Sequence, residues 1–299
     1  MVSPSRTWRW ALRSILELLN GEKASVLVGV HSALGGRVAE EAGADGLWIS
    51  SFEVHAAAAL PDADLLGTQD YVQTALGIVD RVGVPVLMDG NAGGGNAINT
   101  MRLVREVHQA GASGICIEDN VFPKRCTFYD GMQDDIEDVA TFCGKLDAAL
   151  EARPDDGFAV IARTEALTKG LGLQVALERA HAYAERGVDG ILIHHKGSDK
   201  ESVLEFAEKW RTEHETPLVC VPTTYGDVSI EELEQVGFRL VIMANVGVRA
   251  QVRALQETLG ELLRTKRLAD VQDEIVPLDE IFRLVGVDDL RRDEDRFVR

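Results

Sequence analysis

Cysteine is scarce in this chain of 299 residues. The four present, Cys116, Cys126, Cys143 and Cys220, show no paired metal-ligand spacing and fall far short of a disulfide scaffold, so a reducing cytoplasm is the expected compartment. Positive charge is short as well: 31 Lys and Arg face 49 Asp and Glu, a formal net charge of −18. Such a chain repels phosphate backbones and anionic lipid, which argues against nucleic acid and membrane as partners. A small anionic substrate is admissible only where local cations or a metal reverse the field. Residues 3–20, SPSRTWRWALRSILELLN, lack the unbroken apolar core of a signal peptide or membrane span, being interrupted by Arg13 and Glu17. They read as an amphipathic helix packed on the domain or on a partner subunit. Internal repeats, low-complexity tracts and linkers rich in Pro, Gly or Ser are also absent.

What is present is an ordinary globular composition, 45% hydrophobic and 27% charged, enough for one large core. Eight short apolar runs recur: SVLVGV, GLWIS, PVLMDG, GICIED, FAVIART, GILIHH, PLVCVP and RLVIMAN. Helical patterns such as INTMRLVREVHQAG and LQVALERAHAYAERG lie between them, and Gly111 and Gly187 close those helices as C-terminal caps should. Strands apolar on both faces and alternating with helices predict an α/β fold of the (β/α)8 barrel type, residues 1–299 forming one barrel domain. The N-terminal helix and a helical extension from about Lys266 flank it.

The C-terminal ends of the runs carry His31, Ser50, Asp89, Glu118 with Asp119, Arg163 with Glu165, His194 with His195, Thr223 and Asn245. In a barrel these ends meet at one mouth, where active sites of this fold are built. Asp89, Glu118 and the loop residue Asp62 are carboxylates able to share Mg2+, a cation that takes oxygen ligands; equally, each could cap a helix or pair with an arginine. Arg163, His194, Lys124 and Arg125 could hold a dianionic tetrahedral group, with Arg–carboxylate pairing as the plainer reading. The loop GNAGGGN, Gly90 to Asn96, is either an anion cradle or a tight turn needing positive φ. Cys126, beside two cations, is expected to favour its thiolate. His55, His108, His181 and His214 read as structural or surface residues.

In this order the residues resemble the phosphoenolpyruvate mutase and isocitrate lyase superfamily. The resemblance runs over nearly the whole chain, through GLWISSFEVHAAAALPDAD, PVLMDGNAGGGN, GICIEDNVFPK, FAVIARTEALTKGLG, ILIHHKG and EIVPLDEIFRLVGVDD. A His at position 194, where the lyases usually carry Glu, places it nearer the phosphonate branch of mutases and phosphonopyruvate hydrolases. The resemblance implies that Asp89 ligates Mg2+ while Asp62 and Glu118 act through its water shell. It implies that Ser50 with the backbone of Ser51 and Phe52 holds a pyruvyl group, that Arg163 and His194 hold a phosphoryl group, and that Lys124 sits on a gating loop. It further implies a homo-oligomer, dimer or tetramer, with exchanged terminal helices.

Three departures stand out. Where mutases usually read DxDTGYGN this chain has DGNAGGGN, so a carboxylate of the metal shell is Asn91. Where they read EDKxFPKxNS it has EDNVFPKRCT, so a lysine near the substrate is Asn120 and the loop asparagine is Cys126. The lyases carry KRCGH, of which only KRC is here. The expected activity is therefore mutase-type isomerisation of an enolpyruvyl ester, phosphoenolpyruvate or an arsenic analogue, to the carbon-bonded pyruvate, phosphonopyruvate or arsonopyruvate. Phosphonopyruvate hydrolysis and a carbon–carbon lyase using Cys126 are the alternatives, and a barrel kept only for binding is the non-enzymatic one.

Overall fold

The computed structural model describes residues 13–129 and 136–298, so residues 3–12 of the predicted N-terminal helix lie outside the described part. Two compact units divide the chain, Met1–Asn245 and Val246–Arg299.

The first unit holds eight strands: β1 (Ser25–Val30), β2 (Gly46–Ile49), β3 (Val86–Asp89), β4 (Gly114–Glu118), β5 (Ala159–Thr164), β6 (Gly190–Ile193), β7 (Leu218–Cys220) and β8 (Phe238–Met243). Each predicted run coincides with one of them, β8 beginning one residue before its run RLVIMAN. All pair in parallel with their sequence neighbours, and β8 pairs back onto β1, closing the barrel. Its helices are α1 (Ile15–Leu19), α2 (Ala33–Glu41), α3 (Ser51–Ala57), α4 (Thr68–Val79), α5 (Ala97–Gln109), α6 (Val139–Ala152), α7 (Leu173–Ala184), α8 (Glu201–Trp210) and α9 (Ile230–Val236). Gly111 and Gly187 follow α5 and α7 at φ 86°, the left-handed conformation a terminating glycine supplies without a Cβ clash. The second unit holds α10 (Val246–Thr265), α11 (Leu278–Val285) and α12 (Val287–Phe297), with two short 3-10 turns between α10 and α11.

Burial on both strand faces produces two apolar layers. One fills the barrel and joins Leu27, Trp48, Leu87, Ile161, Leu192 and Leu240 to Ile15, Leu18 and Leu19 of α1. Gly46 and Gly190, the first residues of β2 and β6, lie against Leu18 and Leu19, so α1 stoppers the end opposite the polar rim. Three fully buried aliphatic side chains contribute about 1.5–3 kcal/mol each. The other layer lies between strands and outer helices, with Phe142, Tyr183, Phe206 and Trp210 as its large members. With one end stoppered, the polar strand ends have a single opening to share.

Candidate active site

Register decides which side chains meet at that opening. Glu118 is the direct partner of Arg163 across the β4–β5 pair, and His194 follows β6 on the side of Arg163's own partner Leu192. Alternation sends Asp119 the other way. It is fully buried outside the barrel and accepts hydrogen bonds from Tyr183 Oη (2.7 Å), Glu165 N (2.8 Å), Thr164 Oγ1 (3.0 Å) and Arg179 (3.2 Å). Burial pushes its carboxyl up to about 6 against those donors. Of the adjacent carboxylates ending β4, only Glu118 therefore belongs to the site.

The acidic side of the mouth is built from β2 to β4. Ser50 caps α3, its hydroxyl accepting from Glu53 N at 3.3 Å. Ser51 donates twice to Asp89 Oδ2, from its amide at 3.2 Å and its hydroxyl at 2.7 Å, and Asn91 N donates to Asp89 Oδ1 at 3.1 Å. Three of the roughly four lone-pair directions of that carboxylate are thus used. Phe52 follows Ser51 in the first turn of α3. Lys124, reaching in from the loop after β4, donates to Ser51 Oγ and Asp62 Oδ2, each at 3.1 Å, and lies 3.8 Å from Glu118 Oε1. Burial, the largest influence on Lys124, depresses its pKa, but Glu118, Asp62 and Asp89 outweigh it and hold the ammonium well above the usual lysine range. Asn120 donates to Glu118 Oε1 at 2.9 Å, and Asn91 donates to Tyr71 Oη at 3.1 Å.

Four buried oxygens here accept no hydrogen bond: Asn91 Oδ1, Asn120 Oδ1, Asp62 Oδ1 and Glu118 Oε2. The last two have only ion-pair contacts, with His55 at 3.3 Å and Arg163 at 3.2 Å. A buried acceptor without a donor costs about 1–3 kcal/mol. Hard oxygen donors with spare lone pairs are what Mg2+ takes, so these residues fit that ion. Among the described residues no three His, Cys, Asp or Glu side chains converge closely enough to hold a metal by themselves. One direct carboxylate, with its neighbours reaching through water, requires no such convergence.

The basic side is built from β5 and β6, and its groups pair closely with one another. Arg163 Nε lies 2.5 Å from Glu165 Oε1, and its terminal nitrogen lies 2.8 Å from His194 Nδ1. The same His194 nitrogen is 2.9 Å from Glu165 Oε1. Thr168 and Thr127 donate to Glu165 Oε2 at 2.6 and 3.0 Å. Burial is the largest influence on Glu165 and raises its pKa, yet Arg163 and His194 together overcome it and hold the carboxyl well below the usual range. Glu118 touches Lys124 with one oxygen and Arg163 with the other, so the two sides share a wall.

Residues 120–129 lie across the mouth. Lys124 N donates to Asp64 Oδ2 at 2.6 Å, Cys126 N to the Asp62 carbonyl at 2.9 Å, and Asp62 N to Tyr129 Oη at 2.8 Å. Phe128 packs edge-on against the His194 ring. Cys126 is buried within this segment, and the expectation of a favoured thiolate is overturned: burial raises its thiol pKa, and Asp62 adds to the rise. Lys124 spends its charge on carboxylates, so adjacency in sequence did not become stabilisation in space. A cavity of about 250 Å3, lined by Asp64, Thr68, Tyr71, Asp89, Asn91 and Phe122, opens beside Asp89.

Some supporting residues gave no sequence signal. Glu53 is fully buried and spans the rim, accepting from Asn245 N at 2.9 Å and lying 3.0 Å from His31 Nδ1. A Cβ on Gly29 would sit 2.3 Å from Glu53 Oε1, so only glycine leaves room there. His55 is buried behind Asp62, between Ser51 O and Tyr71 Oη, consistent with a structural role. The glycine loop is a tight turn at least: Gly93 has φ 80°, and a Cβ there would lie 2.5 Å from Thr100 Oγ1.

The profile of the family described as phosphoenolpyruvate phosphomutase matches residues 15–263. The chain is 36% identical over 284 residues to phosphoenolpyruvate phosphomutase of Streptomyces hygroscopicus, covering 94% of this chain and 90% of that protein. The crystal structure of phosphoenolpyruvate phosphomutase from Streptomyces platensis subsp. rosaceus superposes with a TM-score of 0.93 at 40% identity, covering 95% and 98% of the two chains. Phosphonopyruvate hydrolase in complex with oxalate and Mg++ superposes with a TM-score of 0.90 at 34% identity, again over 95% and 98%.

Proposed function

Because the chain belongs to the phosphoenolpyruvate phosphomutase family, we propose that it is a Mg2+-dependent isomerase interconverting phosphoenolpyruvate and phosphonopyruvate. The phosphoryl group leaves the enol oxygen as its O–P bond breaks, and the methylene carbon forms the C–P bond. The observation that carries this reading is the shared wall: Glu118 stands between the Asp89–Ser51–Lys124 cluster and the Arg163–His194 pair, an arrangement that supports an enolpyruvyl site beside an oxyanion site.

Asp89 would hold Mg2+, with Asp62, Glu118 and Asn91 around it, and the ion would supply fixed positive charge for the oxygen that becomes negative as the phosphoryl group departs. Ser50 and the amides of Ser51 and Phe52 receive the pyruvyl carboxylate, and Asn120 faces the same substrate. Arg163 and His194 turn from Glu165 to hold the phosphoryl oxygens during a loose transfer, which needs position and charge more than a strong base. Lys124, with Cys126 and Phe128 behind it, keeps out the water that would divert the group to phosphate.

Similarity to the hydrolase, together with Cys126 where mutases carry asparagine in the covering segment, supports a second reading in which water takes the phosphoryl group. Phosphorus NMR on the purified enzyme with Mg2+ and phosphonopyruvate separates them. Phosphoenolpyruvate is the product expected; inorganic phosphate with pyruvate would establish hydrolysis instead. Failure to turn over phosphonopyruvate, phosphoenolpyruvate or their arsenic analogues would remove both.

The enzyme is one catalytic barrel domain with helical extensions, working in the cytoplasm as a homo-oligomer, dimer or tetramer, with exchanged terminal helices. Supporting this, no described helix is long and apolar enough to cross a membrane. Leu278, Phe282 and Val285 of α11 are also left exposed.

A further inference from the structure

Ser51 places its amide and its hydroxyl on one oxygen of Asp89, at 3.2 and 2.7 Å, while the same hydroxyl lies 3.1 Å from Lys124 Nζ. The direction of that chain is fixed by chemistry alone. An ammonium has no lone pair, so Lys124 must donate to the hydroxyl, and the single hydroxyl proton goes to Asp89. Ser51 is buried, as is Lys124, so water does not compete for the bond.

The contacts of the covering segment differ in what they fasten. Lys124 N to Asp64, Cys126 N to Asp62 and Asp62 N to Tyr129 join one loop to another. Asp62, the other strong partner of Lys124, is part of that loop pair. Ser51 instead begins α3 directly after β2 and belongs to the barrel rim. Glu118, the remaining rim group near Lys124, stands at 3.8 Å, beyond hydrogen-bond length. On the acidic side, Ser51 is thus the direct hydrogen bond between the lysine and the barrel.

We propose that the Ser51 hydroxyl is the acidic-side catch on residues 120–129, acting beside the Thr127–Glu165 bond on the basic side, and that it ties their position to Asp89. Ser51 is then a positioning residue acting through Lys124, a role distinct from that of its backbone amide. The catch stands on geometry alone; only its consequence for turnover rests on the function proposed above.

Trypsin cleavage after the exposed Arg125 reads the open population of the segment. Wild type, Ser51→Ala, Lys124→Ala and the double variant are compared, with melting temperatures measured alongside. Ser51→Ala is expected to raise the cleavage rate about tenfold, the scale for one hydrogen bond to a charged group. Lys124→Ala should raise it further, and the double variant should match Lys124→Ala within about twofold, because the bond can be lost only once. Ser51→Thr, which keeps the hydroxyl, should stay within about twofold of wild type. A wild-type rate for Ser51→Ala, effects that multiply in the double variant, or a Thr variant as fast as Ala would each overturn the catch. With phosphonopyruvate, Ser51→Ala should lower kcat about tenfold and change KM by less than about threefold. A wild-type enzyme without turnover would defeat the proposed reaction, and the cleavage cycle would still decide the catch.

Discussion

The two sides of the barrel mouth bury charge in opposite ways. On the acidic side, carboxylates and amides surround one lysine and leave four oxygens without donors. On the basic side, Arg163, Glu165, His194, Thr127 and Thr168 lie against one another at 2.5–3.1 Å. Unused lone pairs in a buried site are costly to maintain, so the acidic side is arranged for a partner outside the chain. A network already paired within itself must exchange bonds to bind an anion, so on the function proposed here the basic side would give up Glu165 and the acidic side would take the cation.

Removing the acidic anchor tests that contrast most severely. Asp89→Ala should lower kcat/KM about 10⁴-fold, several kcal/mol of charge stabilisation, and abolish the heat of Mg2+ binding in calorimetry. Retained metal binding would move the anchor to Asp62 or Glu118. On the basic side, Arg163→Lys should cost about 10³-fold, mainly in kcat, because an ammonium cannot keep the fork that spans Glu165 and His194. A loss confined to KM would mean that Arg163 binds the ground state alone.

Asp119 provides the control, since it borders the site in sequence and stands outside it in space. All four of its partners are donors, so Asp119→Asn turns an amide group toward at least one of them. Stability should fall by about 2–4 kcal/mol in urea unfolding, while kcat of the folded fraction stays within about threefold. A large loss of kcat with unchanged stability would place Asp119 in the reaction.

How much of this was legible follows from what each pattern encodes. The eight strands were legible because burial on both faces forces apolar runs, and Asp89, Glu118, Arg163 and His194 because a strand end is where such a run breaks off. Asp119 was ambiguous, since alternation assigns faces only once it is known which residue ends the strand. Glu53 and the hydroxyl of Ser51 were silent, because their partners Asn245 and Lys124 are 192 and 73 residues away. The thiolate expectation for Cys126 failed for a related reason: sequence shows that a cation is adjacent but not where its ammonium turns.

Cys126 is where the smallest effect carries the most discrimination. Its thiol is buried and raised, and its backbone is tied to Asp62, which suits a group that fills space beside Lys124. Cys126→Ser keeps the backbone bond and nearly the same volume, so a mutase should lose less than about threefold in kcat/KM, within the range of a mild packing change. A lyase that needs the thiol as its acid would instead lose most of its activity, because a serine hydroxyl is a far weaker acid. Loss of phosphonopyruvate turnover in this variant would turn Cys126 from packing into chemistry, and the acidic side of the mouth would then have to be read as holding a proton donor as well as a cation.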